Sequence, residues 1–215
     1  MAGDVGFVLF GLTGGFASGK SSVAARWRER GLPIIDADDI AREVLAAGTS
    51  GLGEVVQSFG PTVLQPDGAL DRKRLASLVF GDPEARRKLE AITHPRIVAA
   101  TLQRASDLEA QNEAIGCYEA SLLVERGLAD FFRPLVLVAS GEKEQIARAR
   151  ARDHLSEGEA RARIEAQLPL KDKLAAADYV IENDRSVAVL IKRADDVLDA
   201  ICKKAGIDAS RYPRK

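Results

Sequence analysis

With 215 residues, 46% of them hydrophobic and 29% charged, the chain can bury a sizeable core as one domain or one domain carrying insertions, which excludes wholesale disorder. Its 31 basic and 32 acidic residues leave a formal net charge of −1, so the overall balance gives no reason to expect nucleic acid or an anionic membrane as partner, and any phosphate site must draw on local charge. Cys117 and Cys202 lie far apart without metal-binding spacing, the apolar runs are too short to span a bilayer, and Asp4 stands where a secretory signal would be basic, so two buried thiols in a soluble cytoplasmic protein are expected.

The apolar run Phe7, Val8, Leu9, Phe10 predicts a buried parallel strand, and Ser22, Val23, Ala24, Ala25, Arg26, Trp27 predict the first turns of a helix. Between them Gly14-Gly15-Phe16-Ala17-Ser18-Gly19-Lys20-Ser21 fits the pattern G-x-x-x-x-G-K-[ST], in the strand, loop, helix setting where that pattern has mechanical meaning. Successive backbone N–H groups of such a loop turn inward and, with the positive end of the following helix, hold polyphosphate oxygens. Lys20 would reach the β- and γ-phosphates, the Ser21 hydroxyl would complete the shell of a Mg²⁺ ion bridging the same oxygens, and Ser22 adds a hydroxyl at the helix start. A chance match in a glycine-rich turn would lack both flanks, so residues 14–22 are read as a nucleoside triphosphate site.

Helix 1 is expected to end at Arg30 with Gly31 as its stop, and Pro33, Ile34, Ile35, Asp36 read as a second short strand. Asp38 or Asp39 can cap the next helix, whose apolar residues are Ile40, Val44 and Leu45. Asp36 and Asp38, taken as two residues apart on a strand, would project to one side about 6 to 7 Å apart, near the mouth of the phosphate loop. One carboxylate would orient water around Mg²⁺ and the other would accept the proton of an attacking hydroxyl. The alternative is that both are ordinary turn or cap aspartates.

From Ser50 to about Ala110 the pattern is helical, with Leu52, Val55, Val56 and Phe59, then Leu75, Leu78 and Val79, then Leu89 and Ile92 on successive amphipathic faces. Gly60-Pro61, Pro66-Asp67-Gly68 and Gly81-Asp82-Pro83 read as turns, and His94-Pro95 as a break between two helices. The sheet resumes at Ala114 to Tyr118, continues at Leu135 to Val138 and finishes at Tyr179 to Ile181, which makes five strands. Arg148 and Arg152, four apart, share a helical face and would swing over a triphosphate; a merely solvated arginine face is the alternative. Ser156-Glu157-Gly158-Glu159 is a capping-box pattern, and the helical hairpin it closes would form a movable lid. From Ser186 onward, Val187, Leu190, Ile191, Ala194, Val197, Leu198 and Ile201 mark a helix packed on the sheet.

The loop alone leaves GTPase switches, motor ATPases, small-molecule kinases and nucleotide-driven binding modules open. No N-K-x-D base-reading motif is present, and the strand from Leu135 ends in Ala139 where many ATPases would place a magnesium-holding Asp; both absences favour a small kinase over a switch or motor.

The chain as a whole resembles the dephospho-CoA kinase family over nearly its full length. The likeness runs through Leu12-Thr13-Gly14-Gly15, Ile35-Asp36-Ala37-Asp38, Asp67-Gly68-Ala69-Leu70-Asp71-Arg72, Val79-Phe80 before Asp82-Pro83, Leu89-Glu90, His94-Pro95 and Leu122-Leu123-Val124-Glu125. It continues through Gln145, Arg148, Arg152, Asp153, Gln167, Lys173, Asp178-Tyr179-Val180-Ile181 and Asn183. The resemblance implies transfer of the ATP γ-phosphoryl group to the ribose 3′-hydroxyl of dephospho-CoA, yielding coenzyme A and ADP, with Asp38 at the position of the base.

The fold that goes with it is α/β: a three-layer P-loop NTPase fold around a parallel five-stranded sheet in a single domain spanning 1–215. Its core would cover about 5–49, 111–141 and 178–206, with a helical acceptor-binding insertion at about 50–110 and a helical lid at about 142–177. His94 and Glu125 are candidates for acceptor contact, the one set against hydrogen-bonding a freed backbone group and the other against simply starting a turn. Three residues depart from the family pattern: Ala17 in place of a glycine, Ser121 in place of a proline, and Ala139 in place of a polar residue. If position 17 takes a positive φ, its alanine strains the loop by about 1 kcal/mol.

Overall fold

A computed structural model describes residues 6–214, and the segment carrying Asp4 lies outside the described residues. Along the chain run β1 (Val8–Gly14), α1 (Lys20–Glu29), β2 (Ile34–Asp36), α2 (Ala37–Glu43), α3 (Ser50–Phe59), α4 (Arg72–Val79), α5 (Pro83–Ala110), β3 (Ile115–Glu119) and β4 (Leu135–Ala139). There follow α6 (Glu142–Asp153), α7 (Glu157–Glu165), α8 (Leu170–Ala176), β5 (Tyr179–Glu182) and α9 (Val187–Lys204). The chain divides into two compact units, residues 36–106 and the remainder.

The larger unit is built on a five-stranded sheet in the order β2-β3-β1-β4-β5, in which β1 pairs in parallel with β3 and β4, and β4 with β5. Every residue of β3 and β4 is buried, as expected of parallel strands covered on both faces. The chain leaves β1 first toward β2 and β3 and later toward β4 and β5, so the carboxyl end of β1 is the switch point at which such sheets open a crevice. Register places Leu12 beside Glu119 and Gly14 beside Val138, so the ends of β3 and β4 flank the loop that follows Gly14.

Helices α1 and α9 cover one face through Phe10, Leu12, Trp27, Ile115, Cys117, Val136, Val138, Ile181, Leu190 and Leu198, all buried. Burying a side chain of this size contributes about 1.5–3 kcal/mol. Phe10 and Trp27 meet edge to face at 5.4 Å between centroids, and Trp27 Nε1 donates to the Ala194 carbonyl at 3.0 Å. Charge is buried here as well: Arg26 grips Asp195 with two bonds of 2.9 Å, while Arg30 donates to the Tyr212 carbonyl and to Asp195 and Asp199, tying the C-terminal residues to α1. Removing one partner from so buried a set costs about 3–5 kcal/mol. Helix α1 ends at Glu29 with Arg30 as its cap and Gly31 beyond it.

The smaller unit is helical, with Leu45, Leu52, Val55, Val63, Leu70, Leu75 and Ile92 as its core and a single isolated bridge between Leu64 and Leu70. Two expectations fail in this region. Asp36, not Asp38 or Asp39, caps α2: its Oδ1 accepts from the backbone N–H of Asp38 at 2.8 Å and of Asp39 at 3.4 Å. Because the helix starts at Ala37, Asp38 lies in its first turn and does not share a strand face with Asp36. The break at His94-Pro95 is also absent, since α5 runs through Pro95 for 28 residues. Proline removes one ladder bond, to the carbonyl of Ala91, but Ala91 is exposed and water can replace the missing donor. One residue on, Arg96 Nη1 donates to the Ile92 carbonyl at 2.7 Å, and buried Ile92 anchors the helix to its core.

Candidate functional site

The loop from Gly15 to Gly19 joins β1 to α1 and is shaped by backbone that few residues tolerate. Gly19 has φ +99°, and a Cβ there would collide with the Asn183 amide; a Cβ on Gly15 would lie 2.6 Å from Gln145 Nε2. Ala17 takes φ +54°, so this alanine does sit in the left-handed region, as the strain expected of it requires.

Side chains from three distant places hold this turn. The Gln167 Oε1 accepts from Phe16 N–H at 2.8 Å, Arg148 Nε donates to the Ala17 carbonyl at 2.8 Å, and Asn183 Nδ2 donates to the Ser18 carbonyl at 2.8 Å. Within the loop, Ser18 N–H donates to the Gly15 carbonyl at 3.0 Å. Two hydroxyls, Thr13 Oγ1 and Ser18 Oγ, are buried without a hydrogen-bond partner among the described residues.

Lys20 opens α1 and its ammonium pairs with Glu119 Oε1 at 2.7 Å, while Arg28 pairs with Glu119 Oε2 at 3.2 Å. Glu119 is 2% exposed and caps the end of β3, beside β1. Ser21 and Ser22 are exposed in the first turn of α1.

Helices α6 and α7 pack a small apolar cluster onto the loop, in which Ile146, Ala149 and Ala160 meet Phe16, Ala17, Leu155 and Ile164. The Phe16 ring also faces two guanidinium groups, Arg152 at 5.9 Å and Arg163 at 5.3 Å from its centroid. Arg148 is half-buried, bonded to Ser140 Oγ as well as to Ala17, and burial pulls its guanidinium below the usual value. Arg152 is exposed; its bonds to Asp153 raise its own pKa and lower that of Asp153. Beyond Gly15 a cavity of about 390 Å³ is lined by Ser140, Gln145, Gln167, Leu168 and Lys173 among others.

Glu125, in the turn after β3, forms an ion pair with Lys173 of α8 at 2.6 Å. Asp36, Asp38 and His94 belong to the smaller unit, where Asp36 is the helix cap just described and Asp38 and His94 are exposed.

Of the residues gathered at the loop, Glu119 and Ser140 carry no signal in the sequence pattern beyond being polar residues at the ends of apolar runs. Gln145, Gln167, Lys173 and Asn183 belong to the family likeness, but without the fold nothing assigns them a contact.

Comparison with known proteins agrees with this geometry. The family model described as dephospho-CoA kinase matches residues 8–188. A dephospho-CoA kinase of Anaeromyxobacter dehalogenans is 46% identical over 190 residues, 88% of this chain and 90% of that protein. Among solved structures, a Thermus thermophilus protein superposes with a TM-score of 0.81 at 34% identity, covering 91% of this chain and 98% of its own. Dephospho-CoA kinase from Campylobacter jejuni does so with a TM-score of 0.70 at 30% identity, covering 92% and 98%.

Proposed function

The chain belongs to the dephospho-CoA kinase family, and from that premise we propose that residues 14–22 hold the triphosphate of ATP while Asp38 deprotonates the ribose 3′-hydroxyl of dephospho-CoA. The family catalyses the final step of coenzyme A synthesis with ATP. The observation that carries the site assignment is the loop at the switch point, with the N-terminus of α1 and the ammonium of Lys20 brought to one place.

Lys20 would turn from Glu119 toward the β- and γ-phosphates, and Glu119 would keep the ammonium over the loop. Arg148 and Arg152, on one face of α6, would lie over the transferring group and offset its charge. Since Asp36 spends Oδ1 on capping, Asp38 is the better candidate for the base. His94 and Glu125 we assign to the acceptor side.

Mg²⁺ suits the donor set. The described residues contain no group of three or more His, Cys, Asp or Glu side chains able to hold a metal by themselves, whereas Ser21 offers a hydroxyl beside the phosphate site. That matches an ion bound through one or two protein groups and the nucleotide. Held by the Ser21 hydroxyl, it would supply positive charge that offsets the charge of the phosphate groups. No helix among the described residues is long and apolar enough to cross a membrane, and we place the protein in the cytoplasm with its substrates.

The test is to incubate the purified protein with ATP, Mg²⁺ and dephospho-CoA and to look for coenzyme A and ADP by mass. Asp38→Asn should lower kcat by about 10²- to 10⁴-fold with ATP affinity within a few-fold of the parent. Normal turnover by that variant would refute the base assignment.

A further inference from the structure

Ala17 holds the phosphate loop in the left-handed region, and the bond from Phe16 N–H to Gln167 lies immediately beside it. A glutamine amide can present either its oxygen or its nitrogen, and only the oxygen can accept from Phe16. Lys173 reinforces that choice. Its ammonium, which can only donate, lies 3.4 Å from the same Oε1, so two donors converge on one acceptor.

Lys173 is itself 2% exposed and is held by Glu125 Oε1 at 2.6 Å, an oxygen that also accepts from Leu168 N–H at 3.4 Å. The other oxygen, Glu125 Oε2, is buried with no partner among the described residues. The line of contacts therefore starts in the turn after β3, passes through α8 and the segment before it, and ends on a backbone N–H of the phosphate loop.

We propose that Lys173, fixed by Glu125, is a positioning residue for nucleotide binding: it orients the Gln167 amide so that its oxygen holds Phe16 N–H and keeps the loop in its binding shape. The inference rests on the assignment of residues 14–22 to the triphosphate, and it deepens that reading by naming what sets the loop's conformation from outside.

The experiment measures ADP affinity by calorimetry and kcat with ATP and dephospho-CoA for the full chain and for Gln167→Leu, Lys173→Met, the double variant and Lys173→Arg. Gln167→Leu should weaken ADP binding about tenfold, the value of one to two hydrogen bonds in a preorganised loop. Lys173→Met should do the same, the double variant should be no worse than either single one, and Lys173→Arg should recover most of the affinity.

Unchanged ADP affinity in Gln167→Leu overturns the proposal even if Lys173→Met fails to fold. Multiplying losses in the double variant overturn it too, because two residues acting through one bond cannot lose it twice. Failure of the underlying reading looks different: the parent protein would then release no ADP in response to dephospho-CoA, or would not bind ADP at all.

Discussion

Ala17, at φ +54°, keeps its conformation because Gln167, Arg148 and Asn183 each bond one of three successive residues, Phe16 to Ser18. Three such bonds are worth about 0.5–1.5 kcal/mol each, enough to outweigh the strain of one alanine. Ala17→Gly removes the strain but frees the unfolded chain, and those terms nearly offset, leaving a gain of up to about 1 kcal/mol. A thermal melt should show a midpoint unchanged or raised by about 2–4 °C, and a clear fall would mean that the alanine methyl packs better than its backbone suffers. The phosphate loop is legible in the sequence because glycine spacing, lysine and serine occur together between a strand and a helix. Glu119 is not: an acidic residue closing an apolar run is typical of any strand end, and only the pairing of β3 with β1 brings it to Lys20.

Ser156 starts α7 with a complete capping box, its side chain accepting from Glu159 N–H at 3.3 Å while the Glu159 carboxylate accepts from Ser156 N–H at 2.8 Å. Helix α7 has only Ala160 buried along its length, so its end bonds matter more than they would in a well-packed helix. Ser156→Ala should cost about 1 kcal/mol locally and appear as faster amide exchange in α7, with α1 and α9 unaffected; equal protection in parent and variant would show that the box contributes nothing. This motif is readable because its two residues are three apart. The continuity of α5 is not, since Pro95 and its neighbour argue locally for a stop and the decision is made by the buried contacts of Ile92 on an element already formed. The start of α2 is misread for a similar reason: three aspartates in four residues could each cap, and which one does depends on where β2 ends.

Over the whole molecule, the apolar runs of β3 and β4 announce a parallel sheet, but the buried charges do not announce themselves, because Arg26 and Arg30 find their partners more than 160 residues away. Acidic groups bound in this way tie stability to pH. Burial would raise the Asp178 carboxyl, but bonds from Leu135 N–H at 2.6 Å and Arg133 at 2.8 Å outweigh it and hold the group below the ordinary carboxylate range; Asp199 is lowered in the same manner by Arg30 and Arg214. Their contribution is complete above about pH 4 and is lost as pH falls through the depressed folded values. Urea midpoints measured from neutral pH down to about pH 3 should therefore decline at the acid end, and less steeply in Asp178→Asn; parallel slopes in the two proteins would remove Asp178 from the account. Cys117 lies in the same interior, one strand from the phosphate loop, and burial pushes its thiol well up, as it does that of Cys202. Protonated sulfur enclosed on all sides is inert toward oxidants and electrophiles, so redox stress reaches neither thiol until the sheet itself opens.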